Sequence, residues 1–523
     1  VRIGIDVGGT NTDAILMNGD EVVAWHKTVT TSDVTGGIVT ALDHLLEKAS
    51  VAPEDVTAVI IGTTHFVNAI TERRRLLDVA CVRLSLPATT VIPPFTDWPA
   101  DLRAALGEHI YFAHGGYNFD GRPISPLDTD ELWAIAEDIR GYELASLAIS
   151  SVFAPVNDSM EREAAAVFAA ALPGVFISLS ADIGRIGLLE RENATILNAS
   201  LREIARGVVQ SLRGALQEMN LGAPFYVTQN DGTLMSADYA EEHPILTFAS
   251  GPTNSMRGAA FLSAVEQAVV VDVGGTTTDV GVLVNGYPRE AASETEIAGI
   301  RTNFRMPDLV SIGLGGGSLV RGEPRDGGVS VGPQSVGYEL TQRGILFGGD
   351  ILTATDIAVA SGAARLGDPS LVANLDPALV RHALKRVHKM IAEAVDRVKV
   401  SSEPVPLVLV GGGAILVSDH IDGASVVTRP DNWSVANAIG AAIAQVGGEV
   451  DRVFSLEATS RESVLADARR QAEEKAIAAG ARPGSVNIVD IDEVALTYMP
   501  GNATRVRVKA VGDLDVVSPP LAR

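Results

Sequence analysis

Two short phrases in the chain carry residue types suited to phosphate chemistry. Residues 6–13 read Asp-Val-Gly-Gly-Thr-Asn-Thr-Asp and residues 272–279 read Asp-Val-Gly-Gly-Thr-Thr-Thr-Asp, agreeing at seven of eight positions across an offset of 266 residues. A Gly-Gly-Thr-x-Thr turn bares backbone N–H groups that can approach phosphate oxygens, and its hydroxyls complete the coordination. The candidate phosphate-binding residues are Gly8, Gly9, Thr10, Asn11 and Thr12 in the first copy, and Gly274, Gly275, Thr276, Thr277 and Thr278 in the second. Facing each other across a cleft, the two turns would clamp a triphosphate from both sides. Asp6 and Asp272 each sit at the end of an apolar run, where a lone carboxylate is costly without a cation or donor. Mg²⁺ meets that need, because it is commonly held by one or two carboxylates, water and substrate phosphates. One such turn alone reads equally well as a glycine-rich hairpin; two near-identical copies favour a nucleotide.

The elements around the phrases also repeat. Apolar runs precede them (Val1–Ile5 and Ala268–Val271) and follow them (Ala14–Met17 and Val280–Val284), each ending in Asn-Gly. That pattern predicts a β-hairpin twice over. The large offset argues for two similar domains rather than a solenoid. Strand and helix signals then alternate, as in an α/β protein. Helical spacing covers Thr35–Lys48 and residues 191–219, and strands are expected at Thr57–Ile61 and Ser146–Phe153. Asp158 and Glu161 form a capping-box pattern, and Asp376-Pro377 an N-cap with proline at N1. The expected domains are 1–250, with an insertion near 86–126; 251–449; and a small α/β addition at 450–523. The last comprises a charged helix (Ser460–Ala479) and strands 485–498 and 503–511 around Pro500-Gly501-Asn502.

Composition narrows the partners. The 523 residues carry 41 Lys+Arg against 65 Asp+Glu, a net charge of −24, with few aromatic rings, which argues against a nucleic-acid surface. The single cysteine, Cys81, excludes an internal disulfide framework, cysteine zinc sites and four-cysteine iron–sulfur clusters; it is expected to be buried rather than nucleophilic. No run approaches a membrane span, and no secretory signal precedes the first strand, so the cytoplasm is the default location.

The paired turns resemble the two phosphate loops of the actin, Hsp70 and sugar-kinase superfamily. The wider chain resembles the hydantoinase/oxoprolinase family, the ATP-dependent cyclic-amide hydrolases. The motifs that carry this resemblance include Gly62-Thr63-Thr64 with Asn68-Ala69 and Glu72-Arg73, Gly115-Gly116 with Asp120-Gly121, Glu190-Arg191, Asn230-Asp231-Gly232, Ser250-Gly251-Pro252, Ile312–Ser318, Val331-Gly332-Pro333, Thr355-Asp356 and Gly411-Gly412-Gly413, in that order. It implies an α/β fold of two actin/Hsp70-like (ribonuclease H-like) lobes around an ATP cleft. Asp6 and Asp272 would face Mg²⁺ through water. Gly411, Gly412 and Gly413 would form the adenosine-side turn, and Gly315, Gly316, Gly317 and Ser318 would line the same cleft; either glycine cluster alone reads equally as a close backbone crossing.

The resemblance further implies that ATP phosphorylates the amide oxygen of a hydantoin, 5-oxoproline or lactam, opening the ring to water. The substrate would lie between the first domain and its insertion, where His65 and His114 are candidate contacts; Asp13 and Asp279 read mainly as hairpin residues. A second hydrolytic subunit and an oligomer are expected partners. Alternatives are a small-molecule kinase, an activator of radical or dehydratase enzymes, and a chaperone-like reactivating ATPase. The lone cysteine disfavours the zinc-bearing kinase and the cluster-bearing activator.

Overall fold

Each repeated phrase forms the turn of an antiparallel hairpin. The computed structural model describes residues 1–8, 11–29, 34–291, 295–322, 328–456, 459–497 and 502–515. Gly9 and Thr10 of the first turn, and Pro500 and Gly501 of the expected C-terminal turn, lie outside the described residues.

In the first lobe β1 (Arg2–Val7) pairs with β2 (Asn11–Asn18), which pairs in turn with β3 (Glu21–Val29). Helix α1 (Val34–Ala49) returns the chain to β4 (Ala58–Thr63), parallel to β1, and α2 (His65–Glu72) follows directly. An inserted parallel sheet comes next: β5 (Val79–Leu86), β6 (His109–His114), β7 (Ser146–Ser151) and β8 (Phe176–Leu179), in the order β6-β5-β7-β8. The long helix α3 (Leu188–Glu218), strands β9 (Phe225–Thr228) and β10 (Thr233–Ser236), and helix α4 (Ser250–Ser263) complete this part.

The second lobe contains β11 (Ala268–Val273), β12 (Thr278–Val284), β13 (Tyr287–Pro288), β14 (Leu309–Ile312), α5 (Pro377–Val398), β15 (Val405–Val410) and β16 (Ala424–Thr428). Helix α6 (Ala436–Ala442) then leads to β17 (Gln445–Ser455), α7 (Arg461–Ala478), β18 (Asn487–Ala495) and β19 (Ala503–Gly512).

The duplication extends to the whole sheet core. The orders β3-β2-β1-β4-β9 and β13-β12-β11-β15-β16 are the same, with three antiparallel strands followed by two parallel to the first, the ribonuclease H-like arrangement. In the first lobe Ile38, Leu42 and Leu45 of α1 pack on Ile3, Ile5, Val59 and Ile61. In the second, Val380, Val387, Ile391 and Val395 of α5 cover Val269, Val271, Leu407 and Leu409. One face of each hairpin is thereby buried under a helix, which fixes its register. Helix α3 belongs to two cores: Ile196, Leu197 and Leu201 pack with Phe66 of α2 and with Val79 and Cys81 of the inserted unit, while Val209, Leu212 and Leu216 reach the lobe itself.

Three sequence expectations need revision. The insertion is larger than residues 86–126, because its sheet runs from Val79 to Leu179. Residues 450–523 do form α/β structure where described, but not a detached unit. Strand β17 pairs in parallel with β10, so β17, β19 and β18 extend the first lobe's sheet to nine strands. The Asp158–Glu161 capping box is absent, since the Asp158 side chain makes no cap. Glu161 instead turns inward and accepts bonds from Ser151 N, Ser180 Oγ and Ala181 N. Asp376 does cap α5, accepting from Ala378 N at 2.8 Å. No helix among the described residues is long and apolar enough to cross a membrane.

The chain passes from the first lobe to the second through α4 and returns through α6. These helices cross almost backbone to backbone: a Cβ on Gly440 would lie 1.8 Å from the Asn254 carbonyl oxygen, and one on Gly258 1.9 Å from that of Ala436. Gly440→Ala should therefore cost about 1–3 kcal/mol through overpacking. The solvent-facing Gly207 of α3 has open space around it, and Gly207→Ala should be neutral or stabilising. Thermal unfolding of the two variants checks the contrast.

Candidate functional site

The two turns close in the same way. Gly8 N–H donates to Asn11 O at 3.0 Å, and Gly274 N–H to Thr277 O at 2.9 Å. Just before each turn, pairing sets two carboxylates side by side: Asp6 opposite Asp13, and Asp272 opposite Asp279. Residues directly opposite on neighbouring strands share a face, so each pair repels. The rows continue across the sheets. In the first lobe the order is Lys27, Asp13, Asp6, Gly62; in the second it is Ser311, Asp279, Asp272, Val410.

The rows neutralise this charge differently. Lys27 Nζ lies 2.8 and 2.9 Å from the two oxygens of Asp13. It also approaches the second lobe, 3.9 Å from where a Cβ of Gly412 would stand, and its charge favours the ionised forms of Asp6 and Asp272. Its counterpart Ser311 gives Asp279 only a hydrogen bond, and burial together with Asp272 pushes the Asp279 carboxyl up to about 7. Asp6, 5% exposed, is likewise raised to about 7 by burial, Asp13 and Asp272. Asn437 of α6 donates to Asp6 Oδ2 at 2.8 Å, whereas Oδ1 has no hydrogen-bond partner among the described residues. Burial also raises Asp272, opposed by a hydrogen bond with Ser255 of α4.

Both glycine clusters pack against the second turn. Gly316 N–H donates to Gly274 O at 3.0 Å and Gly317 N–H to Gly275 O at 2.7 Å, and a Cβ on Gly315 would stand 2.5 Å from the Gly275 carbonyl carbon. Ser318 Oγ accepts from Gly315 N at 2.8 Å. Gly411, at φ +82°, lies against Asp272; a Cβ there would be 2.0 Å from Oδ1. A Cβ on Gly413 would meet Gly274 O at 2.7 Å. Close backbone crossing thus accounts for glycine at Gly315, Gly411 and Gly413. Thr276 and Thr277 are exposed at the tip of their turn, and the Thr278 hydroxyl donates to Leu314 O at 2.7 Å.

Of the histidines, His65 begins α2 half-buried, its N–H 3.1 Å from Thr63 Oγ. His114 is on β6 of the insertion, paired with Glu131 at 3.1 Å. Cys81 is buried, and burial pushes its thiol well up. Sequence reasoning missed Lys27, Asn437 and Ser255. An alternating register on β3 would have indicated Lys27; no local signal marks the other two.

Two ribonuclease H-like lobes, each with a hairpin that sets a pair of carboxylates opposite one another, define the class of protein. Within it, the chain belongs to the hydantoinase/oxoprolinase family: residues 2–172 match the family's N-terminal region and residues 191–366 its hydantoinase/oxoprolinase model. It is 26% identical over 417 residues to the caprolactamase subunit alpha of Pseudomonas jessenii, covering 75% of this chain and 58% of that protein. The chain therefore spans little more than half the length of that relative. The crystal structure of the ATP-dependent caprolactamase from Pseudomonas jessenii superimposes with a TM-score of 0.76 at 20% identity, covering 100% of this chain and 89% of the other. A nucleotide-free acetone carboxylase gives 0.69 at 16%, covering 98% and 88%. These structures share the fold.

Two consequences can be measured. A carboxyl raised to about 7 in the folded protein binds more protons than its unfolded counterpart, titrating near 3.8, so its stabilising contribution is full below about 4 and is lost as pH rises through 7. The melting temperature of the ligand-free protein should fall between pH 5 and 7.5, and less so in Asp279→Asn. Lys27→Met should cost about 1–3 kcal/mol by leaving Asp13 buried without its cation. Adding Asp13→Asn should restore most of that loss in a double-mutant cycle.

Proposed function

We propose that this chain binds Mg·ATP between its two hairpin turns and transfers the γ-phosphoryl group to the carbonyl oxygen of a cyclic amide of hydantoin, 5-oxoproline or lactam type. The observation that carries this reading is the facing pair Asp6 and Asp272, each ahead of a Gly-Gly-Thr turn, with Lys27 between the lobes. The family membership and the likeness to ATP-dependent caprolactamase support the same chemistry.

The residues fit Mg²⁺. Asp6 Oδ1 is buried and unpartnered among the described residues, and the charge of Asp272 adds to its need for a cation. Asp6 and Asp272 would hold the ion through water. When bound, the ion would neutralise charge developing on the transferred phosphoryl group. Backbone N–H groups of Gly275 and Thr276 would hold the phosphate oxygens, with those of Gly9 and Thr10 as their counterparts in the first phrase. Gly412 would border the adenosine side, and Lys27 would hold the triphosphate's charge from the first lobe.

Phosphoryl transfer forms a bond from the amide oxygen to the γ-phosphorus and breaks the bond to ADP. Water then adds to the ring carbon, the C–N bond opens as the nitrogen takes up a proton, leaving an acyl phosphate, and a second water releases phosphate and the free carboxylate. Because the relative is named as one subunit, we assign water delivery to a separate hydrolytic partner. Asp272→Asn should lower lactam-dependent ATP turnover by ~10²-fold or more with the fold intact. Phosphate release with hydantoin, 5-oxoproline and ε-caprolactam, with circular dichroism as the folding control, checks this; near-wild-type turnover sinks the metal assignment.

A further inference from the structure

A cavity of about 290 Å³ opens between the inserted unit and the C-terminal strands, and it shares no residue with either Gly-Gly-Thr turn or with the carboxylate rows. Its size falls at the lower edge of the roughly 300–1,000 Å³ common among ligand sites, so it suits a small molecule. One wall comes from the segments that follow β7 and β8 in the insertion, the other from β17, α7 and β19. In a chain of net charge −24 this wall is cationic: five Arg and Lys side chains line it against three aspartates. All three aspartates are already paired. Arg162 holds Asp158 at 2.8 Å and Asp182 at 2.7 Å, and Arg505 holds both oxygens of Asp451. Arg185 is engaged by Glu290, 3.0 Å away.

Two cations remain. Arg452 of β17 makes no ion pair or hydrogen bond among the described residues, and Asp467, a carboxylate within reach of its field, is held by Arg470 and Gln471. Lys475 of α7 donates to Glu449 O at 2.8 Å and forms no salt bridge among the described residues, which leaves two of its three N–H donors. Partial burial lowers the Lys475 ammonium from its ordinary value, and the charges of Arg452 and Arg305 add to the fall against the opposing pull of Glu449 and Asp182. A lone unpaired cation on a protein surface is ordinary and solvated. Here two such cations, from different elements, share one concave wall whose carboxylates are all taken.

We propose that this cavity binds a small organic dianion, a dicarboxylate or a phosphomonoester, between Arg452 and Lys475. The inference is independent of the ring-activation reading above. Two positive charges without internal partners match two negative ones, and Val156, Ile186 and Val453 offer apolar wall to a short carbon body. Because the walls belong to two units of the fold, a bound dianion ties the insertion to the C-terminal strands and stabilises the pair by mass action.

Isothermal titration calorimetry on the full chain, at low ionic strength and with saturating MgADP, tests the site with glutarate and with glycerol 3-phosphate. At least one should bind saturably, with one ligand per chain, and the tighter of the two identifies the source of the dianion. Arg452→Gln and Lys475→Gln, which break no ion pair, should each weaken binding roughly 10- to 150-fold with circular dichroism unchanged. Lys389→Gln removes the same charge from the exposed face of α5 and should leave binding as it is. 5-Aminopentanoate, of similar length to glutarate but with an ammonium at one end, should bind at least roughly tenfold more weakly. No saturable binding of either dianion, an equal loss in Lys389→Gln, or equal affinity for 5-aminopentanoate overturns the proposal. Binding is read without turnover, so that failure leaves the ring-activation reading standing, and a chain without lactam-dependent ATP turnover leaves this site standing.

Discussion

Like charges placed opposite each other on adjacent strands repel, and this protein does so twice, at the same point of two equivalent hairpins. Much of the surrounding structure responds to that cost. Lys27 neutralises Asp13, Asn437 satisfies one oxygen of Asp6, and Ser255 and Ser311 donate to Asp272 and Asp279. Compensation is incomplete: Asp6 and Asp279 remain pushed to about 7. Excess negative charge is thus held where the two lobes meet.

The helices that join the lobes also furnish the site. Helix α4 carries Gly251 toward Asp6 and Ser255 to Asp272, and α6 carries Asn437 to Asp6. Because Gly258 and Gly440 let the two helices touch along their backbones, they behave as one packed unit. Relative motion of the lobes would turn about this unit, as in other hinged domain closures, and would alter the carboxylate environment at the same time.

What was legible in the sequence was local. The hairpins could be read because a glycine turn between two apolar runs determines itself within a dozen residues, and α3 because its 3–4 periodicity persists over a long span. The phrase repeat gave the duplicated lobes. What escaped depends on contacts between distant segments. Lys27 requires the β2–β3 register, which shifts between Leu16 and Met17. Asn437 lies 431 residues from its partner. The union of the C-terminal strands with the first sheet rests on a two-residue parallel pairing, Thr233 with Gln445 and Leu234 with Val446, too brief for any pattern. The capping box failed because a carboxylate able to reach a helix end was claimed by three donors inside the fold.

That union has a consequence for synthesis of the chain. Strand β10, an early element, is left with an unpaired edge until β17 arrives about 200 residues later, and β19 must then enter between β17 and β18. A nascent chain on the ribosome can assemble its first hairpin, and later the whole second lobe, while this edge stays open to wrong partners. The body that begins folding first is thus among the last to be finished, and its maturation is timed by the translation of the most distal strands.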